Sequence, residues 1–208
     1  MTDAFALLGI NLVLCAGLLA SMRALQVTRL HPVWPKVVTA LFFALLWVPL
    51  GAAQIPAVAY VRGITADLSV TLVALAVWQL SRFGLDWRAI AKRELLAVMA
   101  SVAAAALFLY PMALGWGNWD AYRPGWGSWG MLLGLFAVCV VCGVNRLAVL
   151  PALVALSLLA WSFGLMESGN LWDYLLDPWL SVYSLGYVSR FVFIKCVRVA
   201  KAGARTLN

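Results

Sequence analysis

The chain has 208 residues, 65% of them hydrophobic and 11% charged, where soluble domains average about 45–50% and about 25%. A mean hydropathy of +0.95 leaves no stretch for a separate soluble domain. The net charge of +7 does not point to nucleic acid, because the lysines and arginines stand in short turns between apolar runs, as topology determinants do, and form no basic stripe among exposed aromatics.

Crossing a hydrocarbon core of about 30 Å takes about 20 apolar residues. Apolar runs bounded by charge or turn residues fall at about 4–22, 37–54, 64–81, 95–114, 129–145, 147–166 and 178–197. They predict an all-α fold, a polytopic transmembrane helical bundle of about seven helices, in a single integral-membrane domain over residues 1–208. The first run follows the acidic Asp3, where a cleavable signal would carry positive charge, so it reads as a retained helix. Loop 1 holds Arg23, Arg29, His31 and Lys36, and its two prolines, Pro32 and Pro35, rule out a regular helix interior. Pro49 is expected to kink the second span near its outer end.

Residues 55–67 admit two readings: a short interfacial helix starting at Ile55-Pro56, or one long helix continuing through Leu80. Counted back from Arg82 at about 1.5 Å per residue, Arg62 lies about 30 Å away at the opposite surface, and Asp67 about 22 Å away, inside the outer leaflet. Loop 3 then carries Arg82, Asp86, Arg88, Lys92, Arg93 and Glu94. The fourth span contains a small-residue tract, Ala100 to Ala106, of the kind that lets helix backbones approach closely in lipid. Residues 115–129, rich in glycine and tryptophan, form an outer loop, and residues 143–146 make a tight turn. Pro151 falls in the first turn of helix six, where proline is tolerated. Asp177-Pro178 reads as N-cap and first residue of the last helix, which ends among Lys195, Arg198, Lys201 and Arg205.

With loops 1, 3 and 5 and the C-terminus inside, only Arg62 and Arg123 of the 15 basic residues fall outside, provided Arg190 snorkels inward. Asp3, Asp67, Asp120, Glu167, Asp173 and Asp177 fall outside, against Asp86 and Glu94 inside. This partition predicts an odd number of spans, an outer N-terminus and an inner C-terminus, in a plasma membrane of the bacterial inner-membrane type.

Several motifs carry no chemistry. Cys139 and Cys142 have CxxC spacing but sit within an apolar run, away from the accessible thiolate that redox chemistry needs. His31, the single histidine, cannot make a catalytic zinc site, which takes three protein ligands. No Walker A motif, GxGxxG or HExxH occurs, so neither cofactor nor metal is expected.

The outer face gathers acids, two arginines, tryptophans and tyrosines. Interfacial belts and helix starts explain such residues in many membrane proteins. Three details go further: Asp67 lies below the surface, where a charge is expensive; Arg62 and Arg123 are candidates to pair with Asp67, Asp120 or Asp173; and Asp173 and Asp177 share a helical face if a helix starts at Asn170. Arg62, Asp67, Trp119, Asp120, Arg123, Asp173 and Asp177 thus form a candidate binding site for a lipid-linked saccharide or a phospholipid head group. Membrane lipid and other membrane proteins are the expected partners. The sequence ranks a non-catalytic accessory or interaction subunit of an envelope lipid or glycan pathway first. A transporter or lipid flippase comes second, and a transferase or hydrolase acting on a lipid-linked substrate at the outer face third.

Overall fold

A computed structural model describes residues 2–26, 33–85 and 87–205, the side chains of 200–205 excepted. Arg29, His31 and Asp86 lie outside the described residues. The fold is all-α apart from one minimal hairpin. In chain order it comprises α1 (Thr2–Ala24), α2 (Trp34–Leu45), β1 (Pro49–Leu50), β2 (Ile55–Pro56), α3 (Ala57–Thr65), α4 (Val70–Gly84), α5 (Lys92–Ala113), α6 (Trp129–Val144), α7 (Val149–Ser162), α8 (Leu171–Leu175) and α9 (Pro178–Arg205).

Among the described residues three helical stretches are long and apolar enough to cross a membrane: Thr2–Ala24, Lys92–Ala113 and Pro178–Val199. The other four predicted spans are apolar helices of only 12, 15, 16 and 14 residues, α2, α4, α6 and α7. Three of the four shortfalls, those of α2, α4 and α7, have a local cause. Helix α2 stops at Leu45 without reaching Pro49, so the proline kinks nothing. Proline lacks a backbone donor and pushes its predecessor out of the helical region, and Pro49 instead opens a strand that pairs antiparallel with β2 in the register Pro49 to Pro56 and Leu50 to Ile55. Helix α4 starts at Val70, not 64, because Ala66 has φ +56° and Ser69 is the N-cap, its hydroxyl accepting from Leu72 N at 3.2 Å. Residues 57–65 are accordingly a separate short helix and not part of one long helix, though it starts at Ala57, Ile55-Pro56 being the strand β2. Helix α7 ends at a Schellman turn, in which Gly164 (φ +58°) donates to Trp161 O and Leu165 donates to Ala160 O.

The chain divides into two compact units. The first comprises Met1–Ala89, Gly125–Gly127 and Ala152–Leu176. Its core is Ile10, Leu46, Val58, Leu68 and Val73, where α1 meets α3, α4 and the end of α2. Gly9 permits the α1–α4 approach, since a Cβ there would lie 3.0 Å from Val73 Cγ2. Lipid tails are as apolar as leucine, so helices in a membrane are held by close packing and buried polar bonds. Such bonds are present: Asn11 Nδ2 donates to Phe43 O at 3.1 Å, tying α1 to α2, and Gln79 Nε2 donates to Ala16 O at 2.9 Å, tying α4 to α1. Ser157 Oγ donates to Tyr174 O at 3.1 Å and lies 3.4 Å from Thr71 Oγ1. At the far end of α1 and α4, Phe83 receives Arg23 at 5.2 Å and Lys36, from the first turn of α2, at 5.7 Å from its ring centroid.

The second unit comprises Ile90–Pro124, Ser128–Pro151 and Asp177–Asn208. Helices α5 and α9 pack together, and the small-residue tract contributes buried Val102, Ala103 and Ala106. Tyr110, late in α5, takes the Ser181 hydroxyl from early in α9 at 3.5 Å, so the two run antiparallel. Glu94 in the first turn of α5 accepts from Ala148 N at 2.9 Å and Val149 N at 3.1 Å, supplying a carboxylate to the start of α7. Four amides at a helix start lack internal partners, and a negative charge there is favourable.

Two outcomes are expected from these contacts. Glu94→Ala should lower unfolding stability in detergent by about 1 kcal/mol, as loss of a helix cap does. Gly125→Ala should cost more, about 2–3 kcal/mol, because a Cβ at Gly125 would overlap Asn170 Oδ1, which caps α8 by accepting from Trp172 N at 2.9 Å. Thermal unfolding of the purified variants checks both.

Candidate functional site

The short break between α3 and α4 sets the geometry of the outer-face candidates. Arg62 sits on the last turn of α3, and Asp67 follows the left-handed Ala66 that reverses the chain. That reversal aims the Asp67 carboxylate back at Arg62, whose Nε donates to Asp67 Oδ1 at 2.7 Å. The remaining edges of the same guanidinium are also taken. Nη1 donates to Asp3 Oδ1 at 2.6 Å, from the first turn of α1, and Nη2 to Glu167 Oε1 at 2.7 Å, from the loop after α7. One cation therefore joins three segments separated by 59 and 105 residues from Arg62.

Arginine presents five donors in a fixed planar fork, which suits it to several carboxylates at once. Its hydrogen bond to Asp67, then those to Asp3 and Glu167, hold the Arg62 guanidinium charged far above its ordinary range. The three contacts are unequal. Arg62 and Asp67 side chains are 21% and 16% exposed, whereas Asp3 and Glu167 are 73% and 63% exposed. Solvent screens the latter two to about 0–1 kcal/mol each, and the Arg62–Asp67 bond dominates.

The other predicted residues are used locally. Asp120 Oδ1 accepts from Tyr122 N at 2.9 Å and Arg123 N at 3.2 Å, an Asx turn leading into the 3₁₀ turn Arg123–Trp126. The Arg123 side chain is exposed, and Trp119 packs on Phe108 with ring centroids 5.6 Å apart. Asp173, in α8, accepts from the Ser168 hydroxyl. Asp177 is the buried N-cap of α9, its Oδ1 accepting from Leu180 N at 2.9 Å, as the Asp-Pro pair implies. Asp173 and Asp177 do not share a helical face, because Leu176 between them is extended (φ −151°, ψ 153°) and splits α8 from α9.

Of the seven candidate residues, Arg62 and Asp67 are brought together directly. Asp3 and Glu167, which join them, carried a sequence signal only as outer acids. Their partner became readable only once the loop after α7 folded against the α3–α4 break. Tyr174, fully buried, anchors that loop: its hydroxyl accepts from Met166 N at 3.2 Å and donates to Ser168 O at 3.1 Å. Cys139 and Cys142 carry free thiols within α6, and among the described residues no group of His, Cys, Asp or Glu is arranged to hold a metal ion.

The inequality of the three contacts predicts an order of effects. Arg62→Ala and Asp67→Ala should each destabilise by about 2–3 kcal/mol, typical of breaking a desolvated charged hydrogen bond. Asp3→Asn and Glu167→Gln should each cost under about 1 kcal/mol. Thermal melts of the four variants side by side would show this ranking, and equal losses would contradict it.

The chain matches no family model, no curated protein and no solved structure.

Proposed function

We propose that this chain is a non-catalytic accessory or interaction subunit of a bacterial inner membrane, serving envelope lipid or glycan assembly. It makes about seven passes, with its N-terminus outside and its C-terminus inside. The observation that carries the reading is the Arg62 hub. A site binding phosphate or shuttling protons needs a guanidinium or carboxylate open to its ligand, and Arg62 has its Nε and both terminal nitrogens committed to the chain's own acids. Asp120 and Asp177 likewise serve a turn and a helix start. The polar outer face is thereby read as architecture that fixes the shape presented to a partner.

The topology draws support from the same contacts. Asp3, Arg62, Asp67 and Glu167, which the charge partition assigns to one side, meet at one point. From Asp3 to Arg23 helix α1 rises about 30 Å, the thickness of a hydrocarbon core. At its other end Arg23 meets Lys36, both assigned inside, on one ring. The four shorter helices, α2, α4, α6 and α7, complete passes in which capped turns bring the ends to the interface, with local thinning of the bilayer absorbing the mismatch.

Two measurements test the proposal. A fluorescent protein fused after Asn208 should fluoresce, and an impermeant maleimide should label Asp3→Cys in intact cells in a background lacking the native cysteines; the reverse pattern overturns the orientation. Extraction in mild detergent should yield a stoichiometric complex with a second membrane protein. A strictly monomeric particle, with no partner retained by cross-linking in the membrane, would sink the accessory role.

A further inference from the structure

The end of the first unit opposite Arg62 collects cations from three elements. Arg23 comes from the last turn of α1, Lys36 from the first turn of α2 and Arg82 from the last turn of α4. Arg23 and Lys36 both lie over the Phe83 ring, 5.2 Å and 5.7 Å from its centroid, and Arg82 directly precedes Phe83 in the chain. Cation–π attraction accounts for one cation on a ring; a second cation on the same ring and a third beside it are mutually unfavourable unless an anion sits among them. Among the described residues no carboxylate makes an ion pair with any of the three, every such pair belonging to Arg62.

Exposed apolar residues flank these cations along the chain: Leu25 follows Arg23, Val33 and Trp34 precede Lys36, and Leu85 and Trp87 follow Arg82 and Phe83. Trp87 is held in place by an edge-on contact with Trp78 at 5.9 Å, and Trp78 Nε1 donates to Arg88 O at 3.0 Å. Cations flanked by exposed tryptophan and leucine are what a ligand with an anionic head and an apolar body requires, and they do not suit a small hydrophilic anion.

We propose that Arg23, Lys36 and Arg82, gathered around Phe83, bind the phosphate of an anionic phospholipid, whose acyl chains lie against Leu25, Trp34 and Trp87. The guanidinium groups of Arg23 and Arg82 donate to the phosphate oxygens as planar forks, and Lys36 adds a point charge. The placement of this end at the cytoplasmic leaflet rests on the topology proposed above; the binding chemistry does not.

Native mass spectrometry and thermal melts of the intact protein in neutral detergent, titrated with phosphatidylglycerol, phosphatidylcholine or inorganic phosphate, test the site. Phosphatidylglycerol should be retained and should raise the melting temperature, while phosphatidylcholine and inorganic phosphate should not. R23Q/K36Q/R82Q should weaken phosphatidylglycerol binding roughly a hundredfold, at about fivefold for each charge removed near a membrane surface. The charge-matched R190Q/K195Q/R198Q should keep wild-type binding. Should the triple variant not fold, exposed Lys36 alone, as K36Q, should weaken binding about fivefold. An equal response to inorganic phosphate overturns the lipid as ligand, and equal losses in the two triple variants overturn the site. Because micelles have no sides, a failed orientation in the labelling experiment leaves this result standing, and failed binding leaves the orientation standing.

Discussion

A single guanidinium, that of Arg62, fixes where three distant segments of the first unit end. Without it, the first turn of α1, the break before α4 and the loop after α7 would each carry a carboxylate lacking this ion pair. Asp67 is the most sensitive of the three, being the least exposed, and ionised groups shed water only when paired. The left-handed residue at Ala66 follows from this demand: it reverses the chain over a few residues so that Asp67 falls within 2.7 Å of Arg62 Nε. The division of residues 57–84 into α3 and α4 is therefore an electrostatic arrangement as much as a steric one.

Within the apolar mass, a second level of order comes from a few polar side chains whose partners are backbone carbonyls. Asn11, Gln79 and Ser157 each reach across to another element. These contacts specify which helices meet, because an apolar surface alone is equally content against lipid. The second unit follows a different rule. Its α5 carries the buried small residues Val102, Ala103 and Ala106, Ser181 joins α9 to Tyr110 of α5, and the Glu94 carboxylate meets the start of α7.

Much of this was legible in the sequence. Every predicted apolar run holds a helix, and the Asp177-Pro178 start, the turn at residues 143–146 and the proline in the first turn of α7 stand where local chemistry puts them. Helix lengths were less readable. Hydropathy counts Trp47 to Gln54 as membrane-like, but it does not register that Pro49 and Gly51 turn that stretch into a hairpin. The sequence offers Arg62 and Arg123 as partners for Asp67, Asp120 or Asp173, and the structure selects Arg62 with Asp67; Asp3 and Glu167 needed tertiary closure. Asn11 stood alone in an apolar run, a signal of a buried partner that hydropathy averages away.

The separation of charge along α1 has an energetic meaning in a living membrane. Both α1 and α4 run from the end that holds Asp3, Arg62 and Asp67 to the end that holds Arg23 and Arg82, so their peptide dipoles point the same way, and α1 meets charge of the opposite sign at both termini. In the proposed orientation, an inside-negative potential of 100 mV would lower the energy of each inner cation by about 2.3 kcal/mol relative to the outer side. Arg23, Lys36 and Arg82 would all have to cross that field for the unit to invert. In that orientation the cell's own energised state would hold the inserted unit against inversion, and dissipating the potential during synthesis would be the condition under which it is most easily misinserted.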